Sequence, residues 1–144
     1  MVISLTVLDF KIKRVLVDPG SSANIIKWRV LEQAKLIGSI ILATKLIVEF
    51  NLASMMTRGE ILLLTNAEGV IKITLFEVVD GDMGYNIILG RPWIHEMKAA
   101  SSTYHQLLKF PTPEGIKKIR GDQPIARKMN AISVSSSKGK ERTE

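Results

Sequence analysis

The stretch Val15-Leu16-Val17-Asp18-Pro19-Gly20-Ser21-Ser22-Ala23 constrains this chain more than any other. Three aliphatic residues run into an acid, and the acid into a Pro-Gly bend followed by two hydroxyls and a small residue. That is a strand delivering one carboxylate to a sharp turn. Two readings are open at this point. Pro at the second and Gly at the third position of a four-residue turn are what a plain type II turn demands, with Pro setting φ and Gly supplying a positive φ. The same bend also holds a carboxylate at a fixed place on a rigid element, as catalysis requires.

The neighbouring runs are short, β-rich and cut by turn residues. Val2 to Val7 and Ile12 to Val17, with a turn at Asp9 to Lys11, predict a hairpin whose second strand ends at Asp18. Asn24 to Lys35 reads as a strand that becomes a short helix, ended near Gly38. Ile40 to Phe50 is again β-rich. Asn51 to Gly59, with Met55 and Met56, is polar and flexible in character and separates two apolar strands, which suits a long hairpin. Glu60 to Leu64, a turn at Asn66 to Gly69, and Val70 to Val79 continue the meander; the last run alternates Ile71, Ile73 and Leu75 against Lys72, Thr74 and Phe76, and Asp80 to Gly84 closes it.

Tyr85 to Leu89 is a short apolar strand that stops at Gly90. Pro92 then fits the first turn of a short helix carrying Trp93, Ile94 and Met97 on one side, broken at Ser101 to Thr103. Tyr104 to Phe110 is expected as a last strand. From Pro111 the composition turns to Pro, Gly, Lys and Arg, and Ser135 to Glu144 is polar and of low complexity. The expected organisation is one domain over about residues 2 to 110, with 111 to 144 a basic linker or disordered tail.

At 144 residues and 46% apolar, the chain can bury one core. The absence of cysteine excludes disulfides, thiolate metal sites and a cysteine nucleophile. His95 and His105 alone make no zinc site, and no metal or cofactor is expected. No signal peptide is legible, and the run Ser39 to Phe50 is too short to span a bilayer and contains Lys45 and Glu49; an intracellular protein, cytoplasmic or nuclear and without membrane contact, is the expectation. The net charge of +6 sits mostly at the end: Met1 to Phe110 holds 12 Lys/Arg against 10 Asp/Glu, and Pro111 to Glu144 holds 8 against 4. Lys117, Lys118, Arg120, Arg127 and Lys128 could thus give weak phosphate contacts with nucleic acid, although such runs more often serve solubility.

One aspartate does not readily activate water against an amide by itself. One carboxylate must act as base while another holds a proton, so two must lie together and titrate as a pair. A chain with a single such acid obtains the pair by symmetry, in a homodimer whose twofold axis passes between two copies of Asp18. Asp82, in Asp82-Met83-Gly84, lies 64 residues on and is too near for a duplicated lobe; a meander turn accounts for it.

Taken together, Val15 to Ala23 and Ile87-Ile88-Leu89-Gly90-Arg91 resemble the retropepsins, the aspartic proteases of retroviruses and LTR retrotransposons. The resemblance is closer still to the proteases of plant gypsy-type retrotransposon polyproteins, at Val15 to Ile26, Tyr85 to His95, Ser101 to Thr112 and the region of Gly115 and Arg120 to Gln123. It implies an all-β acid-protease barrel with one short helix after Gly90. It also implies that Asp18 is the catalytic carboxylate, acting on a polypeptide with its dimer mate. Pro19, Gly20, Ser21 and Ser22 would support the loop, Gly20 by an N–H to the carboxylate and Ser21 by a hydroxyl to its outer oxygen. Asn51, Met55, Met56 and Gly59 would belong to the flap over the substrate, and Ile88, Leu89 and Gly90 would back the loop.

The sequence departs from that pattern in three places. Pro19 stands where the family has Thr or Ser, and supplies neither hydroxyl nor N–H across the dimer axis. The flap segment lacks internal glycine. The chain starts at its first strand, as expected of a fragment of a polyprotein. The functional expectation is an aspartic endopeptidase of a retrotransposon polyprotein, with two alternatives: an inactive relic or interaction module of the same fold, or a basic nucleic-acid-binding adaptor.

Overall fold

A computed structural model describes residues 1–41, 47–50, 53–81 and 83–122. Alternating apolar residues and tight turns give the first hairpin, β1 (Val2–Val7) and β2 (Phe10–Val17), paired antiparallel from Val2↔Leu16 to Val7↔Phe10. β3 (Ile25–Lys27) leads directly into α1 (Trp28–Gln33) and a 3₁₀ turn at Ile37–Ser39. β4 (Ile47–Phe50) folds back on the long β5 (Ala53–Ala67), and β5 on β6 (Val70–Val79). β7 (Ile87–Leu89) runs into α2 (Arg91–Met97), which has Pro92 in its first turn, as the Gly90-Arg91-Pro92 sequence predicts.

The strands order as β1-β2-β7-β3-β6-β5-β4, and β1 also pairs with β5 through Thr6↔Asn66 and Val7↔Thr65. Six strands therefore close into a barrel, which removes the free edges of an open sheet. The all-β expectation holds. Ile3, Val15, Phe76, Leu89, Trp93 and Phe110 are among the fully buried core residues, and α2 caps the barrel with Trp93 and Met97.

Several boundaries differ from the sequence reading. Ala53 to Gly59 is not an irregular segment but the start of β5, because its ladder with β4 and then β6 satisfies the backbone. The strand expected over Tyr104 to Phe110 begins at Leu107: Tyr104 lies in the turn that follows β8 (Ala100–Ser102) and is 92% exposed. β9 (Leu107–Thr112) then pairs with β10 (Gly115–Arg120), so the strands continue past residue 110, and Asp122 N–H donates to Val2 C=O at 2.7 Å. Along β10, Lys117 points opposite to Lys118 and Arg120 by strand alternation and lies 3.7 Å from Glu114. Lys117, Lys118 and Arg120 are thus divided between two faces, and Arg127 and Lys128 lie outside the described residues. Among the described residues no helix is long and apolar enough to cross a membrane.

Candidate active site

β2 and β7 run parallel with Val15↔Ile87, Leu16↔Ile88 and Val17↔Leu89 in register. Alternation sends Val15, Val17, Ile87 and Leu89 into the main core and turns Leu16, Asp18 and Ile88 to the other face. There Ile25, Val79 and Ile88 form a second, smaller apolar cluster, with Leu16, Ala23, Met55, Met83 and Tyr85 packed on it. Asp18 is half-buried at the edge of this wall, and its own N–H donates to Leu89 C=O at 2.9 Å, which fixes the strand end.

The bend is closed by Ser21 N–H donating to Asp18 C=O at 3.1 Å. It is not a type II turn, since Gly20 does not adopt a positive φ. Glycine is needed there for closeness instead. Gly20 N–H donates to Asp18 Oδ1 at 2.9 Å, and a Cβ on Gly20 would stand 3.1 Å from that oxygen. A backbone donor aimed at a carboxylate oxygen fixes the side chain in one orientation.

Behind the loop the packing is tighter still. A Cβ on Gly90 would lie 2.3 Å from Ala23 O and 2.8 Å from Ser21 O. No side chain fits, so the role for Gly90 is close backbone approach. Asn24, which carries no signal in the sequence, joins three elements at this point. Its Oδ1 accepts from Gly90 N–H at 2.9 Å and Trp93 N–H at 3.4 Å, and its Nδ2 donates to Leu75 C=O at 3.1 Å. Arg91 adds an N–H to Ser21 C=O at 3.0 Å and an Nη1 to Pro19 C=O at 3.1 Å. Asp18 thus projects from a loop bound on two sides by the start of α2.

No protein-family model matches the chain, and no curated protein does. A solved structure does. The crystal structure of the retroviral protease-like domain of Ddi1 from Leishmania major shares 16% of residues with it at a TM-score of 0.68, over 85% of this chain and 94% of that one. The fold is retropepsin-like.

Within the retropepsin-like barrel, Asp18, Gly20, Ile88, Leu89 and Gly90 come together as one unit. Ser21 does not face the carboxylate: it is buried, and its Oγ donates to Ala23 C=O at 2.7 Å. The hydroxyl is consumed in shaping the loop. Pro19 and Ser22 are exposed. Of the residues expected in a flap, Met55 packs onto the apolar wall beside Asp18, Met56 is 57% exposed, and Asn51 lies outside the described residues, as does Asp82. Gly59 sits at the base of the hairpin, in a bulge with φ 150°, where a Cβ would lie 2.6 Å from Ile41 O. Next to it Arg58 stacks 3.7 Å over the Trp28 ring and pairs with Asp80 at 2.8 Å. Arg14, in a left-handed conformation with φ 58°, donates through its guanidinium to Gly84 C=O and lies 5.6 Å from the Tyr85 ring centroid. These two arginines anchor the segments on either side of the wall. Their partners are 22 or more residues away, beyond any local sequence signal.

Proposed function

We propose that this chain is an aspartic endopeptidase domain that acts as a homodimer, Asp18 of each protomer supplying one carboxylate. The observation that carries this reading is the Asp18–Gly20 contact on a half-buried strand end, beside an apolar cluster whose partly exposed members are Leu16, Ala23, Met55, Met83 and Tyr85. One carboxylate, ionised, takes a proton from a water held between the pair. The water oxygen attacks the peptide carbonyl carbon, and the protonated carboxylate gives its proton to the carbonyl oxygen. Collapse of the tetrahedral species breaks the C–N bond, with the amine leaving protonated. Met55, on β5, packs against the wall, and this supports a flap reading for the segment it belongs to.

We assign the domain to the polyprotein of a gypsy-type LTR retrotransposon, on the sequence resemblance at Val15 to Ile26 and Tyr85 to His95. A second reading has its own observation. Pro19 is exposed on the loop that would meet the twofold axis and offers neither N–H nor hydroxyl to a partner, which favours an inactive domain of the same fold.

Cleavage of a denatured protein substrate at pH 4 to 6, with and without Asp18→Asn, separates the two. Activity lost in Asp18→Asn and blocked by a statine-type transition-state inhibitor supports the enzyme, and equal cleavage by both proteins rejects it. Pro19→Ser, assayed beside them, raises both activity and self-association if only the missing loop contact limits the chain.

A further inference from the structure

The outer face of the β5–β6 hairpin carries a block of aliphatic side chains that the barrel does not use. Leu62 and Leu64 from β5 and Ile71, Ile73 and Leu75 from β6 are 44–65% exposed. Leu62 lies opposite Leu75 and Leu64 opposite Ile73, so the five are contiguous. Their alternates Leu63, Thr65, Thr74 and Phe76 face inward and are buried, with Thr65 Oγ1 and Thr74 Oγ1 2.9 Å apart. Scattered exposed aliphatics are ordinary; a contiguous apolar sheet face on a domain of this size marks an interaction surface.

The face has an acidic end. Glu60 stands directly opposite Glu77, the next pair on this face beyond Leu62 and Leu75. Like charges at opposed positions destabilise a sheet, and neither carboxylate has a basic partner among the described residues. Both are partly buried, and burial followed by the charge of Glu60 pushes the Glu77 carboxyl above its ordinary value. Among the described residues this surface has neither an aliphatic cover nor a cation paired with its acidic end.

Size and charge select the occupant. The block spans the positions from Leu62 to Asn66, roughly 14 to 17 Å at about 3.4 Å per residue, and is two strands wide. A helix of about three turns, some 16 Å long and about 10 Å across, matches it. A second copy of this chain fits poorly. A stable interface takes about 20–30 residues a side, the block offers five, and the cation of β5 nearest the acid pair, Arg58, is already paired with Asp80. We propose that the outer face of the β5–β6 hairpin docks an amphipathic helical segment of another protein, aliphatic on one side, with a lysine or arginine placed over Glu60 and Glu77. The helix would lay its apolar side on this face, with anchors at i, i+3 or i+4, and i+7. This docking is independent of proteolysis.

The test uses the full chain and a fluorescein-labelled synthetic 14-residue helix of Leu, Ala and Lys, with leucines on one face and lysine at one end. A peptide of the same composition with the leucines scattered around the helix serves as comparison. Saturable binding in the tens of micromolar, at least tenfold tighter than the scattered peptide, is expected. Leu64→Thr/Ile73→Thr should weaken it at least tenfold without changing the circular dichroism melt, and Glu60→Gln/Glu77→Gln about fivefold with loss of salt dependence. Equal binding of both peptides, or no effect of the Thr substitutions, overturns the proposal. So does a concentration-dependent dimer that the Thr substitutions abolish, which would give the face to a second copy. Displacement of the probe by a peptide of residues 123–144 would give it to the chain itself, with the same consequence.

Discussion

Gly20 N–H and Asp18 Oδ1 lie 2.9 Å apart, and the space for a Cβ on Gly20 is the space the same oxygen borders, at 3.1 Å. One residue thus donates to the carboxylate and leaves room for it. Gly20→Ala should displace the carboxylate while leaving the exposed bend foldable. Because φ at Gly20 is not positive, alanine loses less chain entropy on folding and should hold or raise stability by about 0.5 kcal/mol. Cleavage rate should fall at least tenfold while the urea midpoint stays level or rises; a parallel fall of both would mean a folding role alone.

Asn24 makes the larger structural contribution. Asn24→Ala leaves the Gly90 N–H and the Trp93 N–H without their buried acceptor and the Leu75 C=O without its donor. Unsatisfied buried groups cost about 1–3 kcal/mol each before relaxation, so a loss of about 3 kcal/mol is expected in equilibrium urea denaturation, with cleavage activity falling because the Asp18 loop loses its support.

Two glycines separate close approach from ordinary loop chemistry. Gly90→Ala would push a methyl against the Ala23 carbonyl, a backbone atom that cannot rotate away, whereas a Cβ on Gly38 would meet nothing within 4 Å. Overpacking costs about 1–3 kcal/mol or more, so Gly90→Ala should destabilise by about 3 kcal/mol or leave no soluble protein. Gly38→Ala should shift the thermal midpoint by no more than about 2–3 °C.

Glu77 gives the protein a pH dependence of known sign. Its carboxyl is raised above 4.5 by burial first and by Glu60 second. The folded state then binds the proton more tightly than the unfolded chain, so the stability linked to this group is full below the unfolded value and is lost as pH rises through the raised one. Glu77→Gln should therefore be more stable than the parent at pH 7, with the difference disappearing near pH 4. Thermal melts at the two pH values measure it; an equal shift at both would remove the titration as the cause.

Local chemistry is written into short stretches, and those were legible. The strand end at Asp18, the stop at Gly90, the helix opened by Pro92 and the hairpin turn at Asn66 to Gly69 each depend on residues within a few positions of one another. The face that β6 buries was not. Ile71, Ile73 and Leu75 are as apolar as any core set, yet Thr74, Phe76 and Val78 point inward, because the register with Ile61, Leu63 and Thr65 was set by barrel closure.

The sequence by itself determined that Asp18 leaves a strand into a bend with Gly20 beside it, since Val15 to Gly20 carries its own strand and turn preferences. Tertiary structure decided what holds that bend in place. Gly90 is 66 residues from Asn24 and Arg91 is 72 from Pro19, and the pairing of β7 with both β2 and β3 brings these groups within hydrogen-bonding distance. Barrel closure likewise left five aliphatics of β5 and β6 on the surface. Partners so far apart in the chain meet only after the barrel has closed, so no local preference records them.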